Sequence, residues 1–213
     1  MSEQKKITKE FFDGIAEEYY NRYHTMKSSR ECLDIILDWL GEVQPIEGNI
    51  LDLGCGPGYF ADMLTGAGHN IVAVDISSEM IEFARANSKN LVYYFEDDVE
   101  TFDTEKEEFN GFFDVTIAKG LFEYLEEDEK LLRNIHRMLK KGGYLIATFR
   151  HAGFTHGDPN YVDPHPMKRR VHDPEELVMI ARDIGLQQVD DVKYYHYHNG
   201  LDVPEAASAF VEL

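Results

Sequence analysis

The chain has 213 residues, of which 43% are hydrophobic and 29% are charged, and its formal net charge is −19. This length and composition are typical of one globular domain with a buried core. The negative charge argues against nucleic acid or an anionic membrane surface as a partner. Because the sequence also has no long apolar stretch and only two cysteines, we expect a cytoplasmic protein without a disulfide framework.

Five short apolar runs predict the strands of a central sheet. They lie at residues 49–53, 71–75, 91–95, 113–118 and 143–149. Their unbroken hydrophobicity is typical of parallel strands that are covered on both faces.

Amphipathic stretches between and around these strands predict helices. They lie at residues 31–40, 58–66, 78–87, 128–139 and 174–184. The fourth helix is expected to stop at Gly142-Gly143. The fifth is expected to begin at Pro174, with Asp173 as its cap, and to end at Gly185. This alternation of strands and helices predicts a doubly wound α/β sheet.

The C-terminal part of the chain follows a different pattern. Residues 186–197 are β-prone, residues 207–213 form a short apolar end, and the turn-forming pair Asn199-Gly200 lies between them. These features predict two antiparallel closing strands. Residues 150–170 form the one long irregular region, and a loop of that length in a compact domain is usually functional or disordered.

A glycine turn follows the first predicted strand, in the run ILDLGCGPGYF at residues 50–60. Gly54, Gly56 and Gly58 let the backbone approach a ligand closely, and the helix behind them offers free N–H groups to a carboxylate. The dinucleotide fingerprint would need glycine where Tyr59 stands. The spacing therefore argues against a pyrophosphate site.

Asp75 ends the second predicted strand, 17 residues after Gly58. A carboxylate at this place can accept two hydrogen bonds from a ribose diol. The alternative is an aspartate that only caps a helix or a turn. The glycine turn upstream favours the ligand interpretation.

These segments resemble the class I S-adenosylmethionine (SAM)-dependent methyltransferases, and the likeness continues along most of the chain. Residues 96–100, 113–124 and 132–149 resemble the family's segments around the third, fourth and fifth strands. The resemblance implies a Rossmann-like doubly wound sheet of seven strands, mostly parallel, with an antiparallel last strand. It also implies SAM as methyl donor and S-adenosylhomocysteine as product.

The resemblance assigns individual residues to the SAM site. Asp98 is the best match for the acid that meets the adenine amino group, and Asp97 is its one-residue alternative. Residues 11–20 resemble a lid helix in which Tyr19 borders the cofactor. The full set is Tyr19, Asp52, Gly54, Cys55, Gly56, Gly58, Asp75, Ile76, Met80, Asp98, Val99, Lys119 and Gly120.

The acceptor and the catalytic groups are less determined. Glu123 and Tyr124 follow the fourth strand, whose carboxyl end should face the site, and many relatives carry histidine in place of Tyr124. His151 and His156 in the irregular region are further candidates. The four histidines in and just after this region, His151, His156, His165 and His172, repeat no ligand spacing, so we expect no metal.

We expect an enzyme that methylates a hydroxyl or amine of a small metabolite (a sugar, natural product or ring compound), as a monomer or homodimer. A SAM-binding regulator or scaffold without turnover and a protein methyltransferase remain alternatives. A nicotinamide-dependent oxidoreductase on the same fold is a third possibility, because a fold does not determine function, but the glycine spacing argues against it. The expected single domain comprises a lid and helices at 1–45, a SAM-binding core at 46–150, an acceptor-side loop at 151–172, and a closing helix and strands at 173–213.

Overall fold

The structure is a computed structural model that describes residues 1–25, 27–43, 47–105, 107–150, 166–189, 193–198 and 202–212. The helices are α1 (Glu3–Asp13), α2 (Ala16–Thr25), α3 (Lys27–Val43), α4 (Tyr59–Gly66), α5 (Ser78–Asn87), α6 (Asp128–Met138) and α7 (Pro174–Ile184), with a short 3-10 helix at Phe122–Tyr124. The strands are β1 (Asn49–Leu53), β2 (Asn70–Asp75), β3 (Val92–Glu96), β4 (Phe113–Ala118), β5 (Leu139–Arg150), β6 (Leu186–Gln188), β7 (Lys193–His198) and β8 (Asp202–Glu212).

All the strands join one sheet in the order β3-β2-β1-β4-β5-β8-β6, with β7 also paired to β8. Strands β1 to β5 are parallel, and β8 runs antiparallel to β5. Both β6 and β7 pair with the edge of β8 that faces away from β5. The single β-prone stretch expected at 186–197 is therefore two strands placed end to end, and the described sheet has eight strands instead of seven.

The sheet separates two hydrophobic cores, because successive side chains of a strand point to opposite faces. Leu51 and Leu53 of β1 pack with α6 and α7, whereas Ile50 packs with α3, α4 and α5. Both faces of β1, β2, β4 and β5 are thus covered, which explains their unbroken hydrophobicity. The expectation fails for the edge strand β3, where Tyr93 is 56% exposed and Phe95 is 38% exposed.

The end of α6 differs from the expectation. The prediction that this helix stops at Gly142-Gly143 is wrong, because the helix ends at Met138 and Leu139 is already extended as the first residue of β5. The glycines lie inside the strand. A Cβ on Gly143 would come within 2.9 Å of the backbone oxygen of Lys140 and within 3.1 Å of those of Phe113 and Asp114, so this glycine allows close approach both within β5 and to β4.

Several other boundaries agree with the sequence. Asp173 caps α7 through the N–H of Glu175, and Gly185 ends that helix in the left-handed conformation. The expected lid at residues 11–20 is divided between two helices at Gly14, whose N–H bonds the last carbonyls of α1. No helix among the described residues combines the length and the apolar character needed to cross a membrane.

Candidate active site

A cleft of about 730 Å³ lies where the carboxyl ends of β1 to β4 meet α1. Its lining comprises Lys5, Thr8, Phe12, Tyr19, Gly54, Gly56, Asp75, Ile76, Met80, Asp98, Val99, Lys119, Gly120, Leu121, Tyr124 and Leu125. The residues expected to bind the cofactor are therefore brought together in one place, except for Asp52, Cys55 and Gly58, which lie outside the lining. The sequence did not indicate the cleft contributions of Lys5, Thr8 and Leu125, and it predicted only the segments that contain Phe12 and Leu121.

The glycine turn after β1 is held by the neighbouring strand. The N–H groups of Gly54 and Cys55 both bond Val74 O, at 2.8 and 3.0 Å. The backbone then continues through Gly56, which has a positive φ of 53°. A Cβ at that position would meet no described atom closer than the Tyr19 ring at 3.8 Å, so the backbone there faces open space in the cleft.

Asp75 connects the turn to the start of α5. One carboxylate oxygen accepts the N–H of Gly56 at 2.8 Å, and the other accepts the N–H of Ser77 at 2.9 Å. Burial raises the pKa of Asp75, while these two hydrogen bonds act in the opposite direction. Each oxygen can accept a further hydrogen bond, so the side chain is fixed in place and still able to bind a diol.

Asp52, Cys55 and Gly58 lie behind the cleft. Gly58 serves packing, since a Cβ there would come within 2.8 Å of Ala84 and nearer still to the Tyr94 hydroxyl. Burial raises the pKa of the Cys55 thiol well above its usual range. Asp52 is 3% exposed, and within the described part of the chain its Oδ2 has no hydrogen-bond partner.

The loop after β4 is positioned from the neighbouring strand. The N–H of Gly120 donates to the hydroxyl of Thr148, a fully buried residue of β5, at 2.7 Å. A Cβ on Gly120 would meet no described atom within 4 Å, which leaves the backbone open to the cleft. Lys119 beside it extends its ammonium over the Phe60 ring, 5.7 Å from the centroid.

Aromatic and aliphatic side chains form another part of the cleft wall. The Phe12 ring packs edge-on against Tyr19 and Tyr124, with centroid separations of 5.7 and 5.2 Å. Leu121 and Leu125 complete this wall from the segment after β4. Such a surface suits an apolar or ring-shaped molecule better than an extended polar chain.

The candidate catalytic residues are separated by the structure. Tyr124 lines the cleft, whereas Glu123 is buried outside its lining at 4% exposure. His151 and His156 lie outside the described residues, so their candidacy stays a prediction.

The last of the four histidines, His172, takes part in an ion-pair cluster instead of the cleft. Its Nε2 is 3.3 Å from Asp128, which also binds the Arg170 guanidinium at 2.7 and 2.8 Å. Burial acts to raise the pKa of Asp128, but the hydrogen bonds and charges of His172 and Arg170 outweigh it and lower that pKa.

Comparison with known proteins identifies the family. Residues 51–147 match the model of a methyltransferase domain. These residues form a class I SAM-dependent methyltransferase domain. The chain is 32% identical over 157 residues to a malonyl-[acyl-carrier protein] O-methyltransferase of Bacillus cereus. The aligned residues cover 70% of the chain but only 55% of that relative.

Other relatives extend over nearly the whole chain. A ubiquinone biosynthesis O-methyltransferase of Pseudomonas aeruginosa is 23% identical, over 90% of this methyltransferase and 91% of the relative. The fold is similar to that of the magnesium protoporphyrin IX methyltransferase of Synechocystis, solved with bound S-adenosylhomocysteine, with a TM-score of 0.75, 15% identity, and coverage of 99% and 100% of the two chains.

The residues present suit the family's cofactor, SAM. The open backbone at Gly56 and Gly120 leaves room for a ligand that a Cβ would crowd. Asp52 is buried behind the same turn, and its Oδ2 has no hydrogen-bond partner among the described residues. When ionised, it would complement the positive sulfonium and amino group of SAM. Asp75 and Asp98 supply acceptors at the ends of β2 and β3.

Proposed function

We propose that this methyltransferase transfers the methyl group of SAM to a hydroxyl or amine of a small metabolite, such as a sugar, a natural product or a ring compound. The observation that carries the proposal is that one cleft joins the acidic ends of β2 and β3 to the aromatic wall of Phe12, Tyr19 and Tyr124.

The cofactor-binding roles follow from the hydrogen-bond capacity of each group. Asp75 would accept the two ribose hydroxyls with the lone pairs that Gly56 and Ser77 leave unused. Asp98 would accept from the adenine amino group, while Val99 would donate its backbone N–H. The backbone at Gly54, Gly56 and Gly120 would surround the methionine part, and Ile76 and Met80 would pack on the adenine and ribose.

Catalysis would consist mainly of positioning. When bound, SAM supplies an electrophilic methyl group on a sulfonium, which is already a good leaving group. Phe12, Leu121 and Leu125 would exclude water and hold the acceptor in line with it. The Tyr124 hydroxyl would hydrogen-bond the acceptor oxygen or nitrogen. The proton that the acceptor loses would pass to a base for which His151 and His156 remain the candidates, since Glu123 lies outside the cleft lining.

The names of the relatives support a hydroxyl acceptor, since both the Bacillus and Pseudomonas proteins are O-methyltransferases. We further propose the expected division of one domain, with α1 to α3 within the lid region at 1–45 and the acceptor-side loop at 151–172. The place of α1 in the cleft lining supports this division. The oligomeric state, monomer or homodimer, stays a prediction.

The experiment is methyl transfer from SAM with a labelled methyl group into a crude cell extract, followed by separation of small molecules, protein and nucleic acid. Asp75→Asn is the matched control, because it keeps the size of the side chain and removes its charge. We expect label in the small-molecule fraction with the wild type and much less with the variant. Label in protein would favour a protein methyltransferase, and no label despite SAM binding would favour a regulator without turnover.

A further inference from the structure

The first helix carries a charged stripe that faces the rim of the cleft. Lys5, Lys9 and Asp13 are spaced by four residues and therefore lie on one face of α1. Lys9 donates to Ile76 O and to the Ser78 hydroxyl, at 3.2 and 2.7 Å. The Asp13 carboxylate accepts the Ser77 hydroxyl at 2.6 Å and the Glu79 N–H at 3.2 Å. These contacts hold α1 over the carboxyl end of β2.

Lys5 differs from Lys9 in what it contacts. Its side chain is 11% exposed, and its ammonium forms ion pairs with both Asp98 and Glu100. These two acids follow β3, and Asp98 is the residue that we assign to the adenine amino group. Two carboxylates so close together repel each other unless a cation lies between them, and Lys5 supplies that cation.

Glu100 extends this contact to the other side of the cleft. Its side chain is 2% exposed, and the carboxylate oxygen not held by Lys5 accepts the N–H groups of Glu126 and Glu127, at 3.1 and 2.9 Å. That segment directly follows Leu125, which lines the cleft. Lys5 thus joins three parts of the wall: α1, the segment after β3, and the segment after β4.

We infer that Lys5 is a positioning residue for adenine recognition, acting through Asp98. One Asp98 oxygen contacts Lys5, and the other accepts the Glu100 N–H at 3.1 Å. The carboxylate is therefore fixed in rotation, and its remaining lone pairs have defined directions toward the cleft. Without the ammonium, repulsion from Glu100 turns Asp98 away, and recognition of the amino group is lost. This inference rests on the proposed function, because it takes SAM as the ligand.

The test is selectivity between S-adenosylhomocysteine and its analogue with hydrogen in place of the adenine 6-amino group, measured by titration calorimetry. The wild type should prefer S-adenosylhomocysteine by at least roughly tenfold, the usual value of a hydrogen bond to a charged group. Lys5→Met should reduce that preference to near unity. Lys5→Arg should restore most of it, because it returns a cation between the two acids.

Lys9→Met is the matched control, because Lys9 lies on the same face of α1 as Lys5. No described hydrogen bond or ion pair joins Lys9 to Asp98 or Glu100. It should weaken both ligands equally and leave their ratio unchanged. The inference is overturned if Lys5→Met keeps the wild-type ratio, or if Lys9→Met lowers the ratio as much. Failure of the wild type to bind S-adenosylhomocysteine would instead refute the proposed function. Thermal melting of each variant shows whether it is folded. If Lys5→Met does not fold, the ratio of the two affinities is measured with Lys5→Arg instead.

Discussion

Replacing Asp52 by asparagine should make the ligand-free protein more stable at neutral and alkaline pH. Asp52 lies in β1 on the same face as Ile50, in the apolar layer beneath α3 and α4. Burial first, and then the charge of Asp75, raise the pKa of Asp52 from an ordinary 3.8 to about 7, although Lys119 acts in the opposite direction. The ionised carboxylate is therefore disfavoured in the folded state.

The magnitude follows from the two pKa values. Between pH 3.8 and about 7 the unfolded chain has released this proton while the folded chain retains it, so the free energy of unfolding falls as pH rises and levels off above 7. The difference, 7 − 3.8, is about 3 units, and at 1.36 kcal/mol per unit the full cost is about 4 kcal/mol. Roughly 2–3 kcal/mol of it develops between pH 5 and pH 8. Asp52→Asn should remove this pH-dependent part.

Urea unfolding without SAM at pH 5 and pH 8 measures the effect. The wild type should lose roughly 2–3 kcal/mol more than Asp52→Asn between the two pH values. Glu129→Gln, at a side chain that is 59% exposed, is the control and should follow the wild type. Parallel profiles for the wild type and Asp52→Asn would refute the reasoning.

The charge of Asp52 that destabilises the ligand-free protein should strengthen the binding of SAM. SAM is a cation, so it should favour ionised Asp52, and the affinity of the wild type should rise from pH 6 to pH 8. In Asp52→Asn this rise should be much smaller, and SAM should bind less tightly at pH 8. The variant would then be more stable and less functional, as expected of a buried charge kept for a ligand.

Three further substitutions test the site and the sheet. Asp75→Ala should weaken SAM binding by roughly 10- to 150-fold in calorimetry while circular dichroism stays unchanged, and equal affinity would contradict its assignment to the ribose. Gly56→Val should abolish SAM binding, because its side chain would occupy the cleft and its positive φ disfavours a branched residue; unchanged affinity would show that the turn is misplaced. Gly143→Ala should lower the free energy of unfolding by about 1–3 kcal/mol, because the added Cβ would crowd backbone oxygens of β4, whereas Gly41→Ala, in open space on α3, should be neutral or stabilising.

Local sequence patterns predicted the parts of the fold whose causes are local. The cap at Asp173, the proline after it and Gly185 determine both ends of α7, and all three act within one turn of the helix. The same holds for β1 and α5, where the observed bounds equal the expected ones.

The failures have causes that are distant in sequence. Gly142-Gly143 has the composition of a helix end. A Cβ on Gly143 would meet the backbone oxygen of Lys140 in the same strand and those of Phe113 and Asp114 in β4, and no local pattern reports the contact with β4. Likewise, the division of residues 186–197 into β6 and β7 is visible only when both are paired with β8.

The same distinction explains which cleft residues the sequence could predict. Residues at the carboxyl ends of parallel strands, such as Asp75 and Asp98, must converge once the topology is known. Lys5, Thr8 and Phe12 reach the cleft only because ionic contacts place α1 across two strand ends, and Lys5 is 93 residues from its partner Asp98. A lysine in a polar first helix would ordinarily be solvated. Its pairing with a second acid, Glu100, would have been the only signal, and that pairing exists only in three dimensions.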